Sequence, residues 1–235
     1  MHRLLKYMLA PLLILQAKQV RKNTLRLPEA RGPRKGIHGR GERQVRLLIL
    51  GDSAAAGVGV DDQTHALSGQ ILVGFGKEFR VEWELIAKSG ATTADTVNHL
   101  ASLPPKIFDL AITCLGVNDV KSGVPKDQWM AHQKKLISLL REKFQVKKLI
   151  ISAVPPMELF PALPWPLGAY LGICSRQLNH GIRAWISTQT DCEFLEFNLP
   201  LDKTLMADDG FHPGPKLHTI WAREIFQRIE RHLGR

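Results

Sequence analysis

The sequence predicts an α/β fold in which a parallel sheet of five strands is covered by helices on both faces. From residue 45 onward, short apolar runs alternate with segments of helical periodicity, a pattern typical of parallel strands joined by helical crossovers. The first run, residues 45–50, is apolar at nearly every position, as expected of a strand that is buried on both faces. The length of 235 residues is sufficient for one large domain with its own core.

The remaining elements follow in order along the chain. Four more strands are predicted at residues 81–87, 108–115, 148–154 and 193–197. Helices are predicted at residues 62–79, 92–103, 125–144, 170–188 and 215–233. In the third of these helices Leu136, Leu140 and Phe144 recur at four-residue spacing, which places them on one helix face.

The positive charge of the chain lies at its N-terminus. The net charge is +10, and the first 46 residues contain twelve Lys and Arg but only two acidic residues. The rest of the chain therefore has equal numbers of basic and acidic residues, so we expect no nucleic-acid binding by the globular part. We predict two regions: an apolar and basic arm with a linker at residues 1–44, and a globular α/β domain at residues 45–235.

The arm permits three interpretations. Its apolar run at residues 4–17 is short and is interrupted by Lys6 and Pro11, which argues against a transmembrane helix. Its charged start resembles an export signal, but the dense positive charge after it favours retention on the cytoplasmic side. We favour an anchor, residues 1–26, on an anionic membrane surface facing the cytoplasm; an exported form and a disordered tail are the alternatives. Residues 28–44, rich in Gly and Pro, are predicted to be a flexible linker.

The three cysteines, Cys114, Cys174 and Cys192, form no CxxC pair. Neither a disulfide framework nor a zinc site is predicted from them, and this use of cysteine favours a reducing compartment. We expect no metal and no cofactor. No Gly-x-Ser-x-Gly elbow and no Walker A lysine occurs, which disfavours an α/β-hydrolase fold and nucleotide binding.

Residues able to do chemistry follow the predicted strands. Gly51-Asp52-Ser53 follow the first strand, Ser89-Gly90-Ala91-Thr92 the second and Gly116-Val117-Asn118-Asp119 the third, and Asp208-Asp209-Gly210-Phe211-His212-Pro213 come after the fifth. Since parallel strands end at one edge of a sheet, we expect these four groups to meet there.

Together these groups can form a nucleophilic site. Ser53 is the candidate nucleophile and His212 the candidate base. Asp209 precedes His212 by three residues, so its carboxylate can hold the imidazole, and this offset favours Asp209 over Asp208. The backbone N–H groups of Ser53 and Gly90 and the amide of Asn118 are candidate oxyanion donors.

These four blocks, in this order, resemble the signature of the SGNH (GDSL) hydrolase superfamily, over roughly residues 45–233. The resemblance implies a flavodoxin-like three-layer α/β/α fold and ester hydrolysis through an acyl-enzyme. It assigns Ser53 as the nucleophile, Asp209 and His212 as its triad partners, and Gly90 and Asn118 as oxyanion donors. The turn after Ser53 is plainer than usual for the family, with Ala54-Ala55-Ala56.

Structural roles are the alternatives for these residues. Ser53 could cap a helix, Asn118 and Asp119 could stabilise a turn, and Gly90 could end a strand. Asp52 is expected to bond amides of its own loop. The apolar connection at residues 157–169 is predicted to form a wall for an acyl or aryl group through Phe160, Leu163 and Trp165, or else to cover the sheet edge.

The favoured function is a serine esterase acting on a small-molecule or lipid-derived ester, as a lysophospholipase does. An acyltransferase or carbohydrate deacetylase of the same fold is the first alternative. A non-catalytic module that binds an anion at the Gly51–Ser53 turn is the second. Oligomeric state is not predicted.

Overall fold

The computed structural model describes residues 2–196, 201 and 203–234, with side chains from Leu9 onward. Its strands are β1 (Lys35–His38), β2 (Arg43–Gly51), β3 (Phe79–Ala87), β4 (Leu110–Cys114), β5 (Lys148–Ser152) and β6 (Cys192–Leu195). They form one sheet in the order β1-β3-β2-β4-β5-β6. All neighbours are parallel except β1, which runs antiparallel to β3.

The helices connect and cover these strands. They are α1 (His2–Asn23), α2 (Leu67–Gly74), α3 (Thr93–Ser102), α4 (Val117–Lys121), α5 (Lys126–Glu142), α6 (Leu167–Ile186) and α7 (Pro215–Leu233), with a 3₁₀ turn at Met157–Leu159. Helices α2 and α7 contact each other, as do α3 and α5, and α5 and α6.

Two apolar cores lie on opposite faces of the sheet. Alternate residues of β2 point to opposite faces, so that Leu47 and Ile49 join the core under α2 and α7, and Leu48 and Leu50 the core under α3, α5 and α6. All four side chains are fully buried. Helices therefore cover both faces of the sheet, which confirms the predicted α/β/α layering. This cover keeps the apolar side chains of β2 from water.

The sheet has six strands, whereas five were predicted. The five predicted strands are present, although the last was predicted to reach Phe197, which lies outside the described residues. The sixth, β1, lies within the segment expected to be a flexible linker. Its four residues are mostly exposed, so it lacks the apolar pattern of a buried strand. The division of the chain at residue 44 stays a prediction.

Two helical predictions also differ from the structure. The helix predicted at residues 62–79 is shortened to α2, because Asp62 accepts hydrogen bonds from the backbone and hydroxyl of Thr64 and forms a turn there. Helix α4 was not predicted, since its five residues are too few to show a helical period.

The N-terminal helix α1 lies against the folded domain rather than forming a disordered tail. Leu13 is buried in the core on the α6 side, and Leu9 and Val20 contact the same core. The Gln16 side chain donates to the Trp165 carbonyl at 2.9 Å and accepts from the Leu167 N–H at 3.2 Å. No helix within the described residues is long and apolar enough to span a bilayer.

We expect Leu13→Ala to lower the free energy of unfolding by about 2 kcal/mol, because truncating a buried leucine loses apolar contact and leaves a cavity. Leu15→Ala on the same helix is the matched control, since Leu15 is 62% exposed and its truncation changes stability by less than about 0.5 kcal/mol. Denaturant unfolding followed by circular dichroism measures both. Equal effects of the two substitutions would contradict the packing of α1.

Candidate active site

Ser53 lies on a tight turn directly after β2. Strand β2 ends at Gly51, where an added Cβ would come within 2.4 Å of the Ala55 Cβ and 2.9 Å of the Cys114 carbonyl oxygen. Only glycine fits this crossing, and the chain then turns through a bond from the Ala56 N–H to the Asp52 carbonyl. The turn places Ser53 at the carboxyl edge of the sheet with its side chain partly exposed.

Asp209 and His212 lie on a second turn that faces Ser53. The Oδ1 atom of Asp209 accepts the backbone N–H groups of Phe211 and His212, both at 2.9 Å. Its Oδ2 atom lies 2.5 Å from His212 Nδ1, and His212 Nε2 lies 2.9 Å from Ser53 Oγ. Donation from Nδ1 to the carboxylate leaves Nε2 free to accept the serine proton.

The neighbouring Asp208 is exposed, whereas Asp209 is buried. Burial acts to raise the pKa of Asp209, but the hydrogen bonds from His212 and Phe211 outweigh it and hold the pKa below its usual value. Asp209 is therefore a buried carboxylate whose negative charge lies beside the His212 ring.

Two backbone N–H groups on the loops that follow β2 and β3 have no hydrogen-bond partner among the described residues. They belong to Ser53 itself and to Gly90, which lies on the loop after β3. Gly90 has φ +83°, a conformation that glycine adopts without strain. Unpaired backbone donors at this edge of the sheet are suited to bind a negatively charged oxygen.

The Asn118 amide is already hydrogen-bonded. Its Oδ1 accepts from Lys121 Nζ at 3.2 Å, which fixes the orientation of the amide. Its Nδ2 donates to the Ala91 carbonyl at 3.0 Å and to Asp52 Oδ2 at 3.3 Å. The structure therefore brings Asn118 to the loop of Gly90, and the longer of its two bonds points toward the turn of Ser53.

Asp119 ties α4 to the same loop, which is more than a turn-stabilising role. Its buried carboxylate accepts the Thr93 N–H and hydroxyl, each at 3.0 Å. The Thr93 hydroxyl in turn accepts from Trp129 and Gln133 of α5. This network fixes the C-terminal side of the loop after β3.

Residues outside the predicted site hold the N-terminal side of that loop. Glu29 accepts the Ser89 N–H at 2.7 Å and pairs with Arg34 at 2.5 Å, and Arg34 donates to the Ala87 carbonyl at 2.8 Å. No sequence motif marks Glu29 or Arg34, because their contacts with the loop join positions more than fifty residues apart.

Asp52 bonds its own loop as expected, through the Ala54 N–H at 3.1 Å. Because Asp52 is fully buried, its pKa rises to about 6 in spite of this bond and of the positive charges of His212 and Lys121. His218, also buried, has a pKa lowered by burial and by the nearby His212 to about 3. His218 is therefore neutral at physiological pH and adds no positive charge near His212.

An apolar cavity of about 50 Å³ opens beside Ser53 and His212. Its apolar lining includes Leu115, Val117, Pro155, Phe160, Leu201, Met206, Phe211, Leu217 and Trp221. Of the three residues predicted to form a wall, only Phe160 lines this cavity. Leu163 packs against the core, and Trp165 is 79% exposed on the outer side of the loop.

Possible metal ligands do not cluster within the described residues.

The fold and this geometry define a three-layer α/β/α protein with a serine, a histidine and a carboxylate aligned at the carboxyl edge of its sheet. The model of the GDSL-like Lipase/Acylhydrolase family matches residues 49–220, which is most of the chain. The chain belongs to this family, and ester hydrolysis is the activity that membership supports.

The chain is also similar to individual esterases and to a lipolytic protein. An arylesterase from Vibrio mimicus is 27% identical over 195 residues, covering 80% of this chain and 90% of that protein. A solved G-D-S-L lipolytic protein from Veillonella parvula has a TM-score of 0.62 at 14% identity, covering 77% of this chain and 96% of its own. Est24, a carbohydrate acetylesterase from Sinorhizobium meliloti, has a TM-score of 0.60 at 18% identity, and the match covers 80% of this chain and 99% of Est24. The two structures show the shared fold.

The high pKa of Asp52 predicts a pH-dependent stability. The folded chain keeps the Asp52 proton up to about pH 6, whereas the unfolded chain releases it near the usual value of 3.8. The contribution of Asp52 to the free energy of unfolding therefore falls by up to about 3 kcal/mol as the pH rises from 4 to 6.

Asp52→Asn removes this titration, so the difference in unfolding free energy between wild type and variant changes over that pH range in favour of the variant. Denaturant unfolding at several pH values between 4 and 7 measures the difference. Two curves that stay parallel from pH 4 to 6 would contradict the assigned protonation of Asp52.

Proposed function

We propose that the protein is a serine hydrolase that cleaves carboxylic esters through an acyl-enzyme, with Ser53 as nucleophile, His212 as general base and Asp209 as its partner. The observation that carries this proposal is the continuous chain of contacts from Asp209 through His212 to Ser53. It joins residues 159 positions apart in the sequence, and a merely structural serine would not need both contacts.

The reaction follows from this arrangement. Ser53 Oγ attacks the ester carbonyl carbon while its proton passes to His212 Nε2. The tetrahedral intermediate collapses, the bond from carbon to the alcohol oxygen breaks, and the alcohol leaves with the proton from Nε2. Water then attacks the acyl-enzyme by the same route and releases the acid. Asp209 stabilises the imidazolium formed in each half of the cycle.

The negative oxygen of the intermediate would be held by backbone donors. The unpaired N–H groups of Ser53 and Gly90 support their assignment as two oxyanion donors. Asn118 can serve as the third by exchanging its 3.3 Å bond to Asp52 for the stronger bond to a charged oxygen.

The apolar cavity would accept the acyl group. Its small volume favours a short acyl chain against Phe160, and the arylesterase and carbohydrate acetylesterase among the relatives support small esters. A lysophospholipid-like or other lipid-derived ester, and acyl transfer to an alcohol in place of water, are the alternatives. A module that only binds anions would leave the contact between His212 and Ser53 without a role.

We expect Ser53→Ala and His212→Ala each to reduce hydrolysis of p-nitrophenyl acetate by at least about 10³-fold, since each removes one of the groups that act together. Ser53→Ala also abolishes labelling by a fluorophosphonate probe. Ser138, which is half-buried like Ser53, and the exposed His180 provide matched controls, and Ser138→Ala and His180→Ala retain activity and labelling. A wild-type protein that neither hydrolyses the ester nor reacts with the probe would refute the proposal.

We also propose that α1 binds the protein to an anionic membrane surface on the cytoplasmic side. The helix presents two different sides, since its inner side contacts the core through Leu13 and Val20. Residues on its other sides are exposed, and they include Leu12, Ile14, Leu15, Lys18, Arg21 and Lys22. Apolar side chains beside lysines and arginines suit the boundary between acyl chains and anionic headgroups.

Trp165 extends this surface. The side chain is exposed, and the backbone carbonyl accepts a hydrogen bond from Gln16 of α1, so this residue lies beside the helix. Tryptophan is favoured at the membrane interface. Trp165, placed in the acyl wall by the sequence analysis, thus supports membrane contact instead.

The double substitution Lys18→Glu with Lys22→Glu is expected to lower the fraction bound to vesicles of phosphatidylcholine and phosphatidylglycerol by at least about 10-fold, since each basic residue contributes about 1 kcal/mol near an anionic surface. Lys77→Glu with Lys135→Glu makes the same charge change at other exposed positions and leaves binding unchanged. Co-sedimentation measures the bound fraction. Equal binding of both double variants would refute the α1 surface.

A further inference from the structure

The loop that carries Gly90 is held from one side by the segment preceding β1. The Glu29 carboxylate accepts the N–H of Ser89, the residue directly before Gly90, at 2.7 Å. The other oxygen of Glu29 pairs with Arg34, which also bonds the Ala87 carbonyl. Glu29 and Arg34 lie before residue 49, where the family match begins, so the family pattern assigns them nothing.

We propose that Glu29 is a positioning residue that holds the Gly90 N–H where the oxyanion forms. This inference rests on the proposed ester hydrolysis, because it concerns a donor for the tetrahedral intermediate of that reaction.

Packing does not fix the tip of this loop. Gly90 is exposed, and an added Cβ would meet no atom within 4 Å. The position of its N–H therefore depends on the hydrogen bonds of the neighbouring residues. Asn118 fixes the loop at Ala91, after Gly90, and Glu29 fixes it at Ser89, before Gly90. Without Glu29, the loop loses its fixed point directly before the donor.

The segment around Glu29 is itself attached to the turn of Ser53. The Ala30 N–H donates to the Ala56 carbonyl at 3.2 Å, and the Gln63 side chain donates to the carbonyls of both Ala30 and Ala56. Ala56 is three residues after Ser53. Glu29 thus joins the two loops that carry the Ser53 and Gly90 donors and sets the spacing between them.

Glu29 acts here as a carboxylate. Burial tends to raise its pKa, but the hydrogen bonds from Ser89 and Arg34 hold the pKa below its usual value. A charged acceptor binds an N–H more strongly than a neutral one, and this strength suits a contact that must keep a loop in place.

The test uses the full chain with Glu29→Ala, Glu29→Gln and the control Glu42→Ala, since Glu42 is the other acidic residue of the first 46 and is exposed. With p-nitrophenyl acetate, Glu29→Ala is expected to lower kcat about 10- to 100-fold and to change KM less than about 3-fold. The loss is smaller than the roughly 10²–10³-fold cost of deleting a donor, because Gly90 is displaced and not removed. Glu29→Gln, which keeps an oxygen for Ser89, recovers most of kcat, and Glu42→Ala matches wild type.

A second readout separates positioning from general stability. Phenylboronic acid forms a tetrahedral anion on a nucleophilic serine, so its inhibition constant rises with Glu29→Ala by the same factor as kcat falls, while the thermal midpoint of Glu29→Gln stays at the wild-type value. A kcat for Glu29→Ala within twofold of wild type would overturn the inference. So would a loss confined to KM, or a loss of kcat without a matching change in phenylboronic acid inhibition. If Ser53→Ala keeps full activity, the proposed function itself has failed, and that result is distinct from normal activity in Glu29→Ala alone.

Discussion

The contact between His212 and Ser53 depends on the parallel direction of the central strands. Ser53 follows β2 at one edge of the sheet, and the turn that carries His212 must return to the same edge after β6 and before α7. Parallel pairing from β3 through β6 makes all of these strands end there. The two cores that bury β2 on both faces hold this edge rigid, so a hydrogen bond between two distant loops can be kept at 2.9 Å.

Burial gives the acidic and basic groups around this contact different protonation states. Asp209 is kept ionised by three hydrogen-bond contacts from two residues, whereas Asp52, with fewer donors, holds a proton up to about pH 6. His218 is kept neutral by its burial and by the nearby His212, both of which lower its pKa. The Asp209 carboxylate, on the same turn as His212, therefore supplies the negative charge that the proposed general base requires.

The fold class and the juxtaposition of Ser53, Asp209 and His212 could be predicted from the sequence, because both follow from short local patterns. Apolar runs predict the buried strands, and the Asp-x-x-His spacing places Asp209 against His212. The sequence did not predict β1, whose exposed residues have no apolar pattern, or Glu29, whose role arises only when distant loops meet. Trp165 shows a further limit: composition marked the loop as apolar, but the direction in which it turns depends on packing against α1 and α6.

The antiparallel strand β1 covers part of the outer edge of β3. Without it, β3 would be an outer strand whose unpaired N–H and C=O groups could pair with another chain. The four residues of β1 occupy part of that edge, and they present exposed Lys35 and a glycine to solvent rather than a long apolar ribbon. A fragment beginning at Arg43, the first residue of β2, would lack β1 and leave the edge of β3 open, so β1 covers backbone groups with which another chain could otherwise pair.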